Sequence, residues 1–193
     1  MLYRVFPHVA GTEPRPLAVP RAAQGAGRHD NPDHYLALYL ARDPVAAVAE
    51  RIQAFRGQEL ADGDLRRAGG AVLTLAAIDD SGLTPDALVD LDDPAILVRD
   101  RLRPSLVASL DRARTQRMAL GYFERDAVGL SWWSTLRADW TNVTLFDVRV
   151  GPGALTVGAL VTLTVVEPVV VEAAARIGVN LPRARTRAVP LRH

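Results

Sequence analysis

Three side chains with complementary chemistry lie close together in the first part of the chain: Arg28, Tyr39 and Glu50. An arginine binds anions through a planar fork of N–H groups, a tyrosine offers a ring and a hydroxyl, and a fixed carboxylate stabilises developing positive charge. Each also has a plainer interpretation: a solvated arginine, a core tyrosine and an exposed helix acid. As a set, the three side chains predict a binding site for a charged ligand.

The surrounding residues predict a different element for each of the three side chains. Arg28 follows a glycine in a polar loop, and Tyr39 lies near the end of an apolar strand predicted over 35–41. Asp43 and the proline after it open a helix, as an N-cap and a first helical residue do. Glu50 falls two turns into that helix, on a surface of alanines, which indicates that another group approaches it closely.

Composition excludes several classes of function. The 193 residues favour a single domain over 1–193. The absence of cysteine excludes disulfides, thiolate metal sites and cysteine nucleophiles, and the absence of lysine excludes a Walker-type phosphate loop and Schiff-base chemistry. The formal net charge of +1 argues against binding to nucleic acid or to anionic membranes. A small ligand or a protein partner is therefore expected.

Neither the first residues of the chain nor its apolar runs predict a membrane protein. The longest apolar run, 157–166, is far shorter than the roughly 20 residues that cross a bilayer. The first eleven residues lack the apolar core of a signal peptide and are typical of a strand. We therefore expect a cytoplasmic protein with no membrane-spanning segment.

Hydrophobic patterns assign the remaining elements. Loops are expected over 12–27, where the chain could close over a site, and over 57–70. The turn-rich segment 79–93 is expected to hold at most one helical turn. Strands are predicted over 2–6, 71–78, 127–133, 143–148 and 155–166, and helices over 105–125 and 168–177. The sum is an α+β fold with a mixed, strand-rich sheet core and a few helices.

Two further clusters of side chains invite functional interpretations that the sequence does not favour. His29 and His34 flank two aspartates, but their spacing matches no helical pair of metal ligands and a turn separates them. No metal site is therefore expected. Arginines in the predicted long helix and in the tail 182–193 resemble a nucleic-acid patch, yet the near-zero net charge favours a solvated surface. The three tryptophans offer either a platform for a base or core packing.

A set of short motifs occurs in a fixed order along the chain. They are Tyr3-Arg4-Val5-Phe6, Gly27-Arg28 before Asn31-Pro32, Leu38-Tyr39-Leu40-Ala41, an alanine-rich helix with Glu50, Arg114-Thr115-Gln116, and Gly129 to Ser134 ahead of Leu145-Phe146. In this order the chain resembles the RES-domain family, bacterial toxins named for an Arg, a Glu and a Ser. The resemblance is strongest over 2–148, and the arginine-rich tail is less diagnostic.

The resemblance implies a fold similar to that of ADP-ribosyltransferases and an activity that degrades NAD. The bond cleaved would be the nicotinamide–ribose bond, with inorganic phosphate or water as acceptor, so NAD would be a substrate and no metal would be needed. Family members often have an antitoxin encoded beside them that blocks the site. A cognate antitoxin is thus an expected partner, and whether the chain forms a homo-oligomer stays open.

The resemblance also implies a role for each site residue. Glu50 would stabilise positive charge on the ribose ring, Arg28 would hold phosphate oxygens, and Tyr39 would stack on the nicotinamide. Ser134 would position a ribose hydroxyl or a phosphate oxygen, with Ser131 as the other candidate, since on one strand the two would point to opposite faces. Two alternatives remain: a mono-ADP-ribosyltransferase that modifies a protein, and a catalytically silent nucleotide-binding or interaction module.

Overall fold

A single mixed sheet forms the centre of the protein. The computed structural model describes residues 1–84 and 86–182, so most of the predicted arginine-rich tail lies outside the described residues. The strands are β1 (Leu2–His8), β2 (Ala37–Ala41), β3 (Val72–Asp79), β4 (Leu88–Asp90), β5 (Gly129–Trp133), β6 (Thr141–Phe146) and β7 (Thr156–Thr162). Their order across the sheet is β4-β5-β6-β2-β1-β3-β7. The β4–β5 pair is parallel and the other neighbouring pairs are antiparallel.

Five α-helices accompany this sheet in the described part of the chain. They are α1 (Pro44–Ile52), α2 (Pro94–Arg99), α3 (Pro104–Val107), α4 (Arg112–Phe123) and α5 (Pro168–Ile177). The predicted α+β fold with a mixed sheet is therefore confirmed. Among the described residues, no helix is both long and apolar enough to cross a membrane.

Local chemistry sets the ends of α1 and α5. The Asp43 carboxylate accepts hydrogen bonds from the backbone N–H groups of Val45 and Ala46, which have no partner within the helix. Gly178 ends α5 in the left-handed conformation, with φ of 74°. Both boundaries follow the sequence pattern.

The packing of α1 determines which way Glu50 points. Val45, Val48 and Ile52 are buried in one core cluster together with residues of α5 and of the sheet. This apolar stripe faces the core, as its helical spacing predicts. Glu50 is only half-buried and lies off the stripe, where it contacts Asn142 of β6.

Three predictions of local structure were wrong in their extent. The segment 79–93 contains β4, whose short length gives no periodic signal and which exists because it pairs with β5. The long helix predicted over 105–125 divides into α3 and α4, because Asp111 caps a new helix by accepting from the N–H of Arg114. Tyr39 is the central residue of β2 rather than a residue near its end.

Candidate active site

A cavity of about 770 Å³ opens beside the middle of the sheet. Its wall is formed by β1, β2, α1 and the connection before β2, with contributions from β5, β6 and the start of α4. This volume lies within the roughly 300–1,000 Å³ of most small-molecule sites. The charged residues of the wall are Arg4, Arg15, Arg28, Arg51, Arg112, Asp30 and Glu50. Five arginines against two carboxylates make the cavity basic although the whole chain is nearly neutral, so an anionic ligand is favoured.

Glu50 is held in this cavity by hydrogen bonds from distant parts of the chain. Its Oε1 accepts from Ser134 Oγ at 2.6 Å and from Asn142 Nδ2 at 2.8 Å. Its Oε2 accepts from Nε2 of Gln53, the residue one turn later in the chain, at 3.1 Å. Two donors on one oxygen fix the orientation of the carboxylate, which is a requirement for electrostatic catalysis. The interpretation of Glu50 as a merely solvated helix acid is therefore wrong.

The hairpin formed by β5 and β6 brings both donors to Glu50. Ser134 follows β5 directly and is 1% exposed, and its Oγ also accepts from the N–H of Leu136 at 3.1 Å. Ser131 lies three residues earlier, within β5. Of the two serines, the structure brings Ser134 to Glu50. Ser134 stands beside the carboxylate rather than in the cavity wall, so it contacts Glu50 directly.

Asn142 is a site residue that sequence reasoning missed. It is 4% exposed, lies in β6 and forms part of the cavity wall. A signal was present in the sequence, because asparagine is depleted in strands and here it interrupts a run of β-forming residues. A polar side chain at a buried strand position needs a partner, and Glu50 is that partner.

Arg28 is buried rather than solvated. The residue is only 6% exposed. Its Nη1 donates to the backbone oxygen of Val107 at 3.0 Å and to the backbone oxygen of Ser109. The guanidinium lies over the ring of Trp132, with Cζ 5.1 Å from the ring centroid. Burial is the main cause that lowers the pKa of Arg28, and the positive charge of the nearby Arg112 is the second. Arg28 borders the cavity, and no carboxylate of the described residues lies at ion-pair distance from its guanidinium.

Tyr39 anchors the loop that carries Arg28. Its hydroxyl donates to Asp30 Oδ1 at 2.7 Å and accepts from the N–H of His29 at 2.8 Å. Burial, followed by the Asp30 carboxylate, raises the pKa of Tyr39, which keeps the hydroxyl a donor. The N–H groups of Gly25 and Gly27 bind the other oxygen of Asp30. Tyr39 therefore shapes the loop as well as lining the cavity.

His29 is enclosed behind the cavity wall. It is completely buried, its Nδ1 lies 2.9 Å from Thr144 Oγ1, and Trp132 Nε1 donates to the same hydroxyl at 3.1 Å. His34, its neighbour in the sequence, is exposed. The two histidines therefore occupy different environments, and the described residues contain no group of three or more metal-ligating side chains. Trp132 is mainly a core residue, 6% exposed.

Arg4 is the second residue that sequence reasoning did not single out for the site. It lies in β1, and Nη1 donates to the backbone oxygens of Pro16 and Ala18, which hold its guanidinium against the cavity. Burial, followed by the charge of Arg51, lowers the pKa of Arg4 to about 10, so it stays cationic at neutral pH. No carboxylate of the described residues lies at ion-pair distance from it. Its position in the motif Tyr3-Arg4-Val5-Phe6 was the available signal.

A carboxylate fixed inside a basic cavity, beside the middle of the sheet, is an arrangement suited to an anionic small molecule. Comparison with family models extends this description. The RES domain model matches residues 1–164, and the chain belongs to the RES domain family. The resemblance noted in the motifs is thereby confirmed.

A solved structure shares this fold. The chain is similar to a chain in the crystal structure of the M. tuberculosis MbcT-MbcA toxin-antitoxin complex, with 22% sequence identity and a TM-score of 0.60. The match covers 91% of this chain and 87% of that chain. Comparison with curated proteins gives no match. The structural likeness supports the fold over nearly the whole chain.

Proposed function

We propose that the protein is an NAD-consuming toxin of a bacterial toxin-antitoxin system, and that it cleaves the nicotinamide–ribose bond of NAD. The observation that carries the proposal is the Glu50 carboxylate, held by Ser134 and Asn142 in a cavity whose other charges are mostly arginines. Membership of the RES domain family supports the same chemistry.

The reaction needs a fixed negative charge beside the sugar. When the bond between the nicotinamide nitrogen and the ribose carbon breaks, its electron pair leaves with the nicotinamide and positive charge develops on the ribose ring. Glu50 stabilises that charge electrostatically. A water or phosphate oxygen then bonds to the same carbon, and with water as acceptor a proton is released to solvent. The products are nicotinamide and either ADP-ribose or its phosphate.

The arginines of the cavity wall are suited to bind the anionic part of the substrate. Arg4 and Arg28 border the cavity as cations without carboxylate partners among the described residues, and both are held by backbone oxygens. A guanidinium fixed in this way matches phosphate oxygens through two parallel hydrogen bonds. We assign the NAD diphosphate, or a bound inorganic phosphate, to this basic wall, with Tyr39 next to the nicotinamide end.

A toxin of this kind requires an inhibitor in the cell that makes it. The similar solved structure is a toxin-antitoxin complex, which favours a cognate antitoxin protein as the partner of this chain. Because NAD is a cytoplasmic metabolite, we place the activity in the cytoplasm. An acidic surface on the antitoxin would complement the charge of the basic cavity.

The decisive experiment measures NAD consumption by the purified protein, with and without inorganic phosphate. We expect Glu50→Gln to lower kcat by roughly 100-fold or more, because it removes the charge but keeps the shape. Glu172→Gln is the matched control, since Glu172 pairs with Arg176 on the exposed surface of α5. A wild type that is folded and free of inhibitor but leaves NAD intact would refute the proposal. A stable ADP-ribosylated protein product would instead indicate a mono-ADP-ribosyltransferase.

The same assay tests the basic wall. Arg4→Gln is expected to raise KM for NAD by about tenfold or more, because a charge-assisted hydrogen bond contributes roughly 1.5–3 kcal/mol. Arg99→Gln is the control, since Arg99 is exposed and pairs with Asp100. An unchanged KM in a folded Arg4→Gln protein would remove Arg4 from the substrate site.

A further inference from the structure

Four of the five arginines in the cavity wall have no carboxylate at ion-pair distance among the described residues. Arg15 pairs with Glu13. The four other arginines are Arg4, Arg28, Arg51 and Arg112. Guanidinium groups that share a cavity without counter-charges repel each other, which destabilises the folded protein until an anion binds. The crowding of positive charge therefore points to an anionic ligand.

The two carboxylates of the cavity wall are already bound by other groups. Asp30 accepts hydrogen bonds from the Tyr39 hydroxyl and from two backbone N–H groups. Glu50 accepts hydrogen bonds from Ser134 and Asn142. Neither carboxylate lies at ion-pair distance from an arginine of the described residues. The counter-charge for the arginines must therefore come from the ligand.

The diphosphate of NAD accounts for only part of this positive charge. Each of its phosphates carries one negative charge, so the guanidiniums of Arg4 and Arg28 are enough to match it. Arg51 and Arg112 also line the cavity. The cavity thus carries more positive charge than NAD requires.

The excess positive charge is least compensated beside Arg51. This residue lies in the last turn of α1 and lines the cavity, and after burial its charge is the cause that lowers the pKa of Arg4. Near β5, burial and then Arg112 lower the pKa of Arg28, but the Glu50 carboxylate opposes them. Among the described residues, only a positive charge acts in this way on Arg4. The end of the cavity at Arg4 and Arg51 is therefore where a further anion is stabilised most.

We propose that Arg51 forms, beside Arg4, a second anion subsite that binds a phosphate dianion in addition to the diphosphate of NAD. This inference rests on the proposed function and deepens it by naming a second anionic group of the ligand. Two sources supply such a group: a phosphate monoester on the adenosine ribose, as in NADP, and free inorganic phosphate.

A phosphate dianion suits this pair of side chains. A phosphate monoester carries roughly 1.5–2 negative charges at pH 7, more than either phosphate of a diphosphate bridge. Its free oxygens accept charge-assisted, bidentate hydrogen bonds from guanidinium groups. The backbone oxygens of Pro16 and Ala18 hold Arg4 in place. Arg51 is exposed as well as lining the cavity, so a ligand from solvent can reach it.

The first arm of the test compares ADP-ribose with its derivative phosphorylated on the adenosine ribose, by calorimetry at constant ionic strength. Neither ligand contains the nicotinamide–ribose bond, so turnover does not interfere. We expect the wild type to bind the phosphorylated ligand about tenfold or more tightly, because the added phosphate gains charge-assisted hydrogen bonds. We expect Arg51→Gln to lose this preference.

The second arm adds inorganic phosphate to protein saturated with ADP-ribose, whose diphosphate then occupies its own position. If free phosphate is the source, we expect it to bind to the wild type and to bind at least about tenfold more weakly to Arg51→Gln. An effect of Arg51→Gln in the first arm identifies the monoester as a source, and an effect in the second arm identifies free phosphate.

Arg67→Gln is the matched control. Arg67 is exposed and does not line the cavity, but after burial its charge is the cause that lowers the pKa of Arg51. This variant should bind both phosphate groups as the wild type does, and melting temperatures check that both variants are folded. Three results would each overturn the subsite: a wild type that binds neither phosphate group, binding that survives in Arg51→Gln, and an equal loss in Arg67→Gln.

The binding test also separates this inference from the proposed function. A wild type that leaves NAD intact but binds the added phosphate through Arg51 would refute the proposed cleavage and support the second subsite. A wild type that consumes NAD but binds neither phosphate group would support cleavage and overturn the second subsite.

Discussion

The buried imidazole of His29 makes the stability of the protein depend on pH. Burial, followed by the charges of Arg28 and Arg112, lowers the pKa of His29 to about 3 from its usual 6.5. The ring is therefore neutral in the folded protein under ordinary conditions, whereas in the unfolded chain it takes up a proton below pH 6.5. Because the unfolded state binds the extra proton, the free energy of unfolding decreases as the pH falls from 6.5 towards 3.

The size of the effect follows from the two pKa values. Each pH unit between them changes the free energy of unfolding by about 1.4 kcal/mol per proton. From pH 7 to pH 5, His29 alone therefore removes about 2 kcal/mol of stability. This result depends little on the lower pKa, because at pH 5 the folded ring is still almost entirely neutral. The loss is a substantial part of the 5–15 kcal/mol that stabilises a typical domain.

The assay is urea unfolding of the wild type and of His29→Gln at pH 7 and pH 5. We expect the variant, whatever its stability at pH 7, to lose about 2 kcal/mol less than the wild type on acidification. His34→Gln, which removes the exposed histidine of the same loop, should retain the wild-type dependence. Equal acid sensitivity of wild type and His29→Gln would mean that His29 is not buried as a neutral ring, and the reasoning would fail.

Two further predictions test the loop that carries Arg28 and the hydrogen bond between α4 and Asp100. At Gly27 an added Cβ would lie 2.5 Å from the Tyr39 hydroxyl, so Gly27→Ala should lower kcat/KM for NAD roughly tenfold or more by displacing the loop. Gly121→Ala, which has open space in α4, should leave kcat/KM unchanged. Tyr122→Phe removes a 2.7 Å hydrogen bond to Asp100 and should lower the free energy of unfolding by about 1–2 kcal/mol in urea titrations, and an unchanged value would exclude a role for that bond.

Much of the fold follows from local patterns in the sequence. Hydrophobic periodicity and capping residues placed α1, α5 and most of the strands close to their observed positions, because those signals act over a few residues. The sequence could not indicate β4, which has three residues and exists because it pairs with β5. The long predicted helix was divided for a different, local reason, because the cap at Asp111 outweighed continuous helical spacing.

The candidate site was predictable where a residue has distinctive chemistry and lies in one of the motifs that occur in a fixed order. Arg28, Tyr39, Glu50 and Ser134 were expected at the site, and the structure places Ser134 on Glu50 and brings Arg28 and Tyr39 to the same cavity. Their roles in catalysis remain predictions. What the sequence did not show is which contacts join them: Asn142 reaches Glu50 through strand register, and register is set by tertiary pairing.

The hydrogen bonds on Glu50 also determine when during synthesis its carboxylate becomes fixed. Glu50 belongs to the first third of the chain, whereas Ser134 and Asn142 are made only after α4. A nascent chain emerges from the ribosome in order, and contacts between distant segments form last. Until β6 has been translated and inserted between β5 and β2, the carboxylate lacks the donors that Ser134 and Asn142 provide. A growing chain, or one truncated before β6, would therefore lack the fixed carboxylate on which the proposed activity depends.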